Sequence, residues 1–183
     1  MKIYTKNGDA GMTSTYSGER ISKGDSLAEV LGAIDEIQAR IGLVAHLENF
    51  SNYVLLDTMT VRHMMHSIQR DLIRCSSDLA TSTSSSRYTK VCVEQDIVEK
   101  LEDWIDEMDI HVPPLTKFIL VGSGPENAEI HLCRTATRTA ERRLVQCTHS
   151  RPIVLKYLNR LSDFFFMLAR VQTYASNGEE IVV

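Results

Sequence analysis

Leu27, Val30, Ile34, Ile37, Ile41 and Val44 follow one another at spacings of 3, 4, 3, 4 and 3. That rhythm lays a single apolar stripe along a helix, and such a seam is stable only when other helices cover it. Asp25-Ser26, immediately before it, supplies an N-cap signal. A second ladder runs Val54, Val61, Met65, Ile68, Leu72, Cys75, Leu79 and ends in the low-complexity loop "TSTSSSR", whose composition predicts mobility. A third, Val93, Ile97, Leu101, Trp104, Met108, stops before Pro113-Pro114. The fourth is Ile130, Cys133, Ala140, Leu144, Cys147, broken by Pro152, and the fifth is Val154, Leu158, Leu161, Phe165, Leu168. Five such helices with short connections predict an all-α, up-and-down bundle of four to five helices. No stretch after residue 20 alternates with period 2, so no later strand is expected. The organisation expected is one domain over residues 1–183, with an irregular arm over 1–25 and a bundle over 26–175.

The arm cannot order itself by burial, because "YTKNGDAGMTST" holds few apolar residues. Two readings are open. Asn7-Gly8 is a favoured two-residue hairpin turn between Ile3/Tyr4 and Met12. Alternatively, Gly8 and Gly11 let backbone N–H groups converge on an anion, with Thr5, Thr13 and Ser14 adding hydroxyls and Lys6 and Lys23 adding charge. The Walker pattern GxxxxGK[ST] is absent. A formal charge of −4 and a pI near 5.9 argue against bulk attraction to nucleic acid or an anionic membrane, so any anion must be held locally. "MKIYTKNGD" has no apolar core of a secretory signal, and "FFFMLA" is too short to span a bilayer. Cys75, Cys92, Cys133 and Cys147 form no CxxC pair and are expected as reduced thiols in a cytoplasmic protein.

Arg134, Arg138 and Arg142 recur at i, i+4 and i+8 in "HLCRTATRTAERR". They read either as a solvated basic face or as an anion-binding stripe. Like charges at that spacing repel unless an anion or carboxylate lies between them. The small neighbours Thr135, Ala136, Thr137, Thr139 and Ala140 would let a ligand approach closely. In "YLNRLSDFFFMLAR", Asn159 and Asp163 share a face, and a helix-to-helix hydrogen bond is their simplest role. Asp35, beside the first seam, is either a surface carboxylate or a partner for a cation such as Arg134. His63 and His66 lack a third ligand and are expected to pack or lie on the surface. No nucleophile–base set and no metal cluster emerges, which suggests that a substrate brings its own reactivity.

Four segments, in order along the chain, carry a specific similarity: "YTKNGDAGMTS", "GERISK" with "EVLGAIDE", "FILVGSGPENAEIHLCRTATRTAERR" and "YLNRLSDFFFMLAR". Through them the chain resembles the PduO-type ATP:cob(I)alamin adenosyltransferases over nearly its whole length. The resemblance implies a homotrimeric helical bundle that moves the 5′-deoxyadenosyl group of ATP to the cobalt of cob(I)alamin. It implies that Thr5, Lys6, Asn7, Gly8, Thr13, Ser14 and Lys23 wrap the triphosphate. Arg138, Thr139, Ala140, Glu141 and Arg142 would line the same site, Asn159 would contact the nucleoside, and Mg²⁺ would ride on the phosphates rather than on protein side chains. Arg134 and Asp35 would pair across a subunit boundary near the corrinoid, and Phe118 would press on its lower face. The catalytic set implied is thus Arg138, Phe118, Asp35 and Arg134. ATP, cob(II)alamin and cob(I)alamin are the implied ligands, with a reductase and an adenosylcobalamin-dependent acceptor enzyme as further partners and no nucleic acid or membrane.

Four departures stand out. Asn7 replaces the second Thr of the family's YTKTGD, and Thr139 replaces the second Arg of RxxxRRAER. A lost charge-assisted hydrogen bond is worth roughly 1.5–3 kcal/mol, or about ten- to hundredfold in ATP interaction. "VGSGP" stands where the family has a PGG turn after Phe118. "SNGEEIVV" follows the fifth helix closely, with no longer tail expected to close over a corrinoid. The alternative expectation is therefore an impaired homologue that carries ATP or corrinoid, or regulates, without turnover.

Overall fold

Helix boundaries follow local chemistry. The computed structural model describes residues 2–56, 59–86, 88–90 and 92–183. Helix α1 spans Ser26–Val44 and begins where the Asp25 carboxylate accepts from the Leu27 N–H at 2.8 Å. Helix α2 spans Val61–Leu79, its first turn capped by the Thr60 hydroxyl, which accepts from the His63 N–H. Helix α3 spans Asp96–Ile110. Helices α4 (Pro125–Gln146) and α5 (Pro152–Ala175) both start on proline, which has no N–H to leave unpaired there.

The apolar ladders meet in one continuous core. Ile34, Ile37 and Ile41 of α1, Met65, Ile68 and Leu72 of α2, Leu144 of α4 and Leu158, Leu161 and Phe165 of α5 are all fully buried. Helix α4 packs between α1 and α5, with α2 on the far side of α1 and α3 on the far side of α5. Lys100 of α3 closes the ring by bonding Asp71 of α2 and, at 3.0 Å, the Ser67 hydroxyl. At one end, Asp78 takes the Arg151 guanidinium at 3.2 Å and the Val93 N–H at 2.9 Å, tying α2, the α3 approach and the start of α5 together. The all-α bundle expected from the ladders is what forms.

The ladders fail at their edges. Val54 is not helical: Val54–Leu56 (β3) pairs antiparallel with Met59–Thr60 (β4) just before α2. β-Branched and apolar residues ahead of a capping threonine favour extended backbone there. Val93 likewise precedes α3. Of "TSTSSSR", Arg87 lies outside the described residues, and the rest turns over the end of α2.

The arm forms a hairpin, but not around Asn7-Gly8. Met12–Ser14 (β1) pairs with Arg20–Ser22 (β2), with Met12 opposite Ser22 and Ser14 opposite Arg20. The turn lies between them, where Gly18 adopts φ +93° and the Thr15 N–H donates to the Glu19 carbonyl. An Asn-Gly hairpin of the favoured type needs positive φ at both residues. Here the left-handed positions are Lys6 (φ 62°) and Gly11 (φ 76°), so residues 6–11 coil into successive turns instead.

Candidate functional site

The coil at residues 6–11 collects donors. Its turns are closed by the Asp9 N–H on the Lys6 carbonyl and the Gly11 N–H on the Gly8 carbonyl. Lys23 returns beside it: its N–H donates to the Gly11 carbonyl at 2.8 Å, and its ammonium lies 3.1 Å from where a Cβ on Gly8 would stand. Arg20 ties the loop to the hairpin, donating to the Asn7 carbonyl at 2.8 Å and the Ser14 hydroxyl at 3.2 Å. Thr5, Lys6, Asn7, Ser14 and Lys23 are exposed, while Gly8 and Thr13 are half-buried. The result is a cationic, hydroxyl-rich loop open to solvent.

The second surface is on α4. Arg138 and Arg142 are exposed one turn apart. Arg142 donates to the Arg138 carbonyl and to the Thr139 hydroxyl, both at 3.1 Å, which fixes the direction of its guanidinium. Among the described residues neither has a carboxylate partner. The other arginines of α4 and α5 outside this stripe do: Arg143 meets Glu29, Arg160 meets Glu102 and Asp163, and Arg170 meets Glu180. Glu141, between the two arginines in sequence, is occupied by Asn159, whose amide donates to it at 3.0 Å. Ala140 is buried beneath them. An exposed pair of unmatched guanidiniums is a place for an anion supplied from outside.

Arg134, one turn earlier, is half-buried and donates from Nε to His131 Nδ1 at 3.1 Å. His131 is buried, and desolvation, helped by the Arg134 charge, lowers its pKa from 6.5 to about 4. Its neutral ring can therefore accept from Arg134. Asp35 is exposed on α1, on an open groove with Tyr16, Leu31, Gln38 and Ile73. Asp35 and Arg134 do not meet within the chain. Nor does any described hydrogen bond or ion pair join Thr5, Lys6, Asn7, Thr13, Ser14 or Lys23 to Arg138, Arg142 or Asn159.

Phe118 stands 88% exposed beside Leu115, Thr116 and Lys117, with Leu120, Val121 and Ile181 to Val183 also presenting apolar surface nearby. Its main chain is held: the Val183 N–H donates to the Phe118 carbonyl at 2.9 Å, and the Leu120 N–H to the Ile181 carbonyl at 2.8 Å. The last three residues of "SNGEEIVV" thus pair with residues 118–120 around an isolated antiparallel bridge between Ile119 and Val182. His63 shares a hydrogen with Thr60, and His66 lies near His46. Among the described residues no three His, Cys, Asp or Glu gather as metal ligands, and the four cysteines are free. No described helix is long and apolar enough to cross a membrane.

Residue patterns alone did not single out Arg20, His131 or Glu180. Arg20 becomes visible only once the hairpin register puts it opposite Ser14. The available signal for His131 was its place one turn before Arg134, and nothing local marks Glu180.

A helical bundle that carries an unmatched basic stripe on one helix and a loose loop of anion donors is a nucleotide- or polyphosphate-holding bundle in form. Residues 3–172 match the cobalamin adenosyltransferase family, and the chain belongs to it. It is 40% identical over 185 residues to the corrinoid adenosyltransferase MMAB of Bos taurus, covering 98% of this chain and 74% of that protein. A corrinoid adenosyltransferase of Bacillus subtilis is 40% identical over 174 residues, covering 93% and 86%. A variant PduO-type ATP:corrinoid adenosyltransferase from Lactobacillus reuteri, solved with cobalamin and ATP, superposes with a TM-score of 0.87. It is 32% identical, covering 100% of this chain and 99% of that one.

Proposed function

We propose that this protein transfers the 5′-deoxyadenosyl group of ATP to the cobalt of cob(I)alamin, giving adenosylcobalamin and triphosphate. The Co–C5′ bond forms as the C5′–O bond breaks, and the electron pair leaves with triphosphate. The observation that carries this reading is the exposed pair Arg138 and Arg142, one turn apart on α4 and without a carboxylate partner among the described residues, in a chain that also has the 6–11 donor loop.

The chemistry follows from what each part offers. Cob(I)alamin is itself the nucleophile, so no protein nucleophile is needed. Charge builds on the departing triphosphate, and fixed guanidinium, ammonium and N–H groups stabilise it most where water is excluded. Thr5, Lys6, Asn7, Gly8, Thr13, Ser14 and Lys23 form the arm's share. Arg138, Thr139, Ala140, Glu141 and Arg142 form the helix's share, with Asn159 holding Glu141 and facing the nucleoside. The donor set suits Mg²⁺ that arrives on phosphate oxygens, because the loop offers donors for an anion and no cluster of protein carboxylates. Magnesium would neutralise phosphate charge, while the chain's own groups orient the tail.

The two halves of the site do not join within one chain. This supports a homotrimer in which the arm of one protomer meets α4 of the next, and in which Asp35 pairs with a neighbour's Arg134 near the corrinoid. Phe118 would press on the lower face of cob(II)alamin and displace its axial base, which raises the potential for reduction. A reductase and an adenosylcobalamin-dependent acceptor enzyme are the expected partners. We take residues 1–25 as the nucleotide arm and 26–175 as the bundle of a single domain. A cytoplasmic setting suits its free thiols.

The test is an anaerobic assay with ATP, Mg²⁺ and chemically reduced cobalamin. Appearance of a light-sensitive Co–C bond together with triphosphate is the expected result. Nucleotide binding without Co–C bond formation would instead make the protein a carrier.

A further inference from the structure

Phe118 lies in a non-helical segment that runs past α4 and α5, where Ile119 and Leu120 border a small cavity with Asn127, His131 and Thr173. Residues 118–120 leave Pro113-Pro114 as an irregular segment and are bonded to residues 181–183: Val183 N–H to Phe118 O, Leu120 N–H to Ile181 O, and Ile119 opposite Val182. Two edge segments paired by so few bonds, each largely exposed, are not stable alone. Something has to bring the tail back, and the structure contains it. Helix α5 ends with Asn177 in the left-handed region (φ 55°), and the Gly178 N–H donates to the Thr173 carbonyl at 2.9 Å. A Cβ on Gly178 would meet that carbonyl oxygen at 3.1 Å, so the reversal favours glycine. Two residues later, Glu180 meets the buried Arg170 of α5 through both oxygens, at 2.7 and 3.1 Å, and accepts from the Tyr174 hydroxyl at 3.1 Å. Arg170 reaches the start of the Phe118 segment as well, donating to the Pro113 carbonyl at 2.7 Å.

One guanidinium therefore holds both strands of the little ladder: Pro113 before Phe118, and Glu180 before Ile181. We propose that Glu180 and Arg170 form a latch that fixes the segment carrying Phe118, making both of them positioning residues for Phe118 toward the corrinoid. This rests on the reading of Phe118 given above. A side-chain wedge 88% exposed to solvent is only as well aimed as its main chain. Fork-to-fork arginine–carboxylate pairing in a buried setting gives defined geometry, where a surface pair would not. Removing one partner leaves the other charge buried and unmatched, so the tail would detach and the Phe118 segment would lose its described main-chain hydrogen-bond partner.

The test uses the full chain with MgATP, comparing Glu180→Ala, Glu180→Asp and a version ending at Glu180, which keeps the latch but lacks the strand partner. Two readouts are taken: amide exchange at Leu120, referenced to Ile37 in the core, and the fraction of four-coordinate cob(II)alamin by electron paramagnetic resonance. Glu180→Ala and the shortened chain should each speed Leu120 exchange by at least about tenfold and cut the four-coordinate fraction severalfold. Ile37 exchange and MgATP affinity should hold, and Glu180→Asp should recover part of both signals. Unchanged Leu120 exchange in Glu180→Ala would overturn the latch. Faster exchange with an unchanged four-coordinate fraction, while Phe118→Ala abolishes it, would overturn the positioning role. If Phe118→Ala itself left that fraction intact, the Phe118 reading would fall and the positioning role with it, whereas the exchange result would still judge the latch alone.

Discussion

The Lys23 ammonium rests against Gly8, 3.1 Å from where that residue's Cβ would be. Two motifs separated in sequence thus share one cationic surface, and the absence of a side chain at residue 8 is what permits it. Gly8→Val would push the end of a flexible lysine aside rather than strike backbone. We expect little change in thermal stability and a loss of MgATP affinity of about tenfold, the equivalent of one charge-assisted bond. Isothermal titration against differential scanning fluorimetry separates the two. An affinity that held in Gly8→Val would take Lys23 out of the phosphate site.

Arg138 and Arg143 are close in sequence but differ in company. Arg143 meets Glu29 at 3.5 Å on the surface, whereas Arg138 has no carboxylate partner among the described residues. Exposed pairs of the first kind contribute little. Arg138→Ala should weaken ATP binding or turnover at least about tenfold with unfolding free energy within about 0.5 kcal/mol of the parent. Arg143→Ala should alter turnover by less than about threefold. Equal effects of the two substitutions in steady-state kinetics would mean that α4 acts through general charge alone.

The bundle was legible because its cause is local and repeated: burial of a 3-4 stripe decides where Ile34, Ile37 and Ile41 point. Its edges were not, because Val54 is apolar in a helix or a strand alike, and only pairing with Thr60 decides. The arm's donors were visible as residue types. Their arrangement was not, since the hairpin turn depends on Gly18 and long-range hydrogen bonds, and Asn7-Gly8 offered a plausible local substitute. The tail was the least legible part. Nothing near Glu180 in sequence announces Arg170, ten residues back on a helix, or Phe118, far earlier in the chain.

Thr139 is where an extra cation would be expected from the family pattern, and its hydroxyl instead accepts from Arg142 at 3.1 Å. It acts as a rest for the guanidinium it neighbours. Thr139→Ala should free Arg142 and raise the KM for ATP about three- to tenfold, in line with one ordinary hydrogen bond. Thr139→Ser should stay near the parent, because the acceptor is retained. An Ala variant with parent KM would show that Arg142 needs no such support.

His131 offers a test by pH. It is buried on α4 against Phe166, accepts from Arg134, and shares a small cavity with Arg170 of α5 and Glu180 of the tail. Its native pKa of about 4 lies below the ordinary 6.5, so the unfolded chain binds the proton more readily than the folded one. The stabilising contribution is therefore complete above 6.5 and is lost as pH falls from 6.5 toward 4. From that shift, about 2 kcal/mol should disappear between pH 7.5 and pH 5. Protonation also removes the Nδ1 acceptor and sets a second cation beside Arg134. Urea unfolding at the two pH values should show this loss in the parent. His131→Gln, which does not titrate in that window, should lose about 2 kcal/mol less than the parent over the same interval. Identical pH slopes in the two proteins would mean that His131 takes up its proton in the fold as readily as in the unfolded chain, and that Arg134 is held by something else.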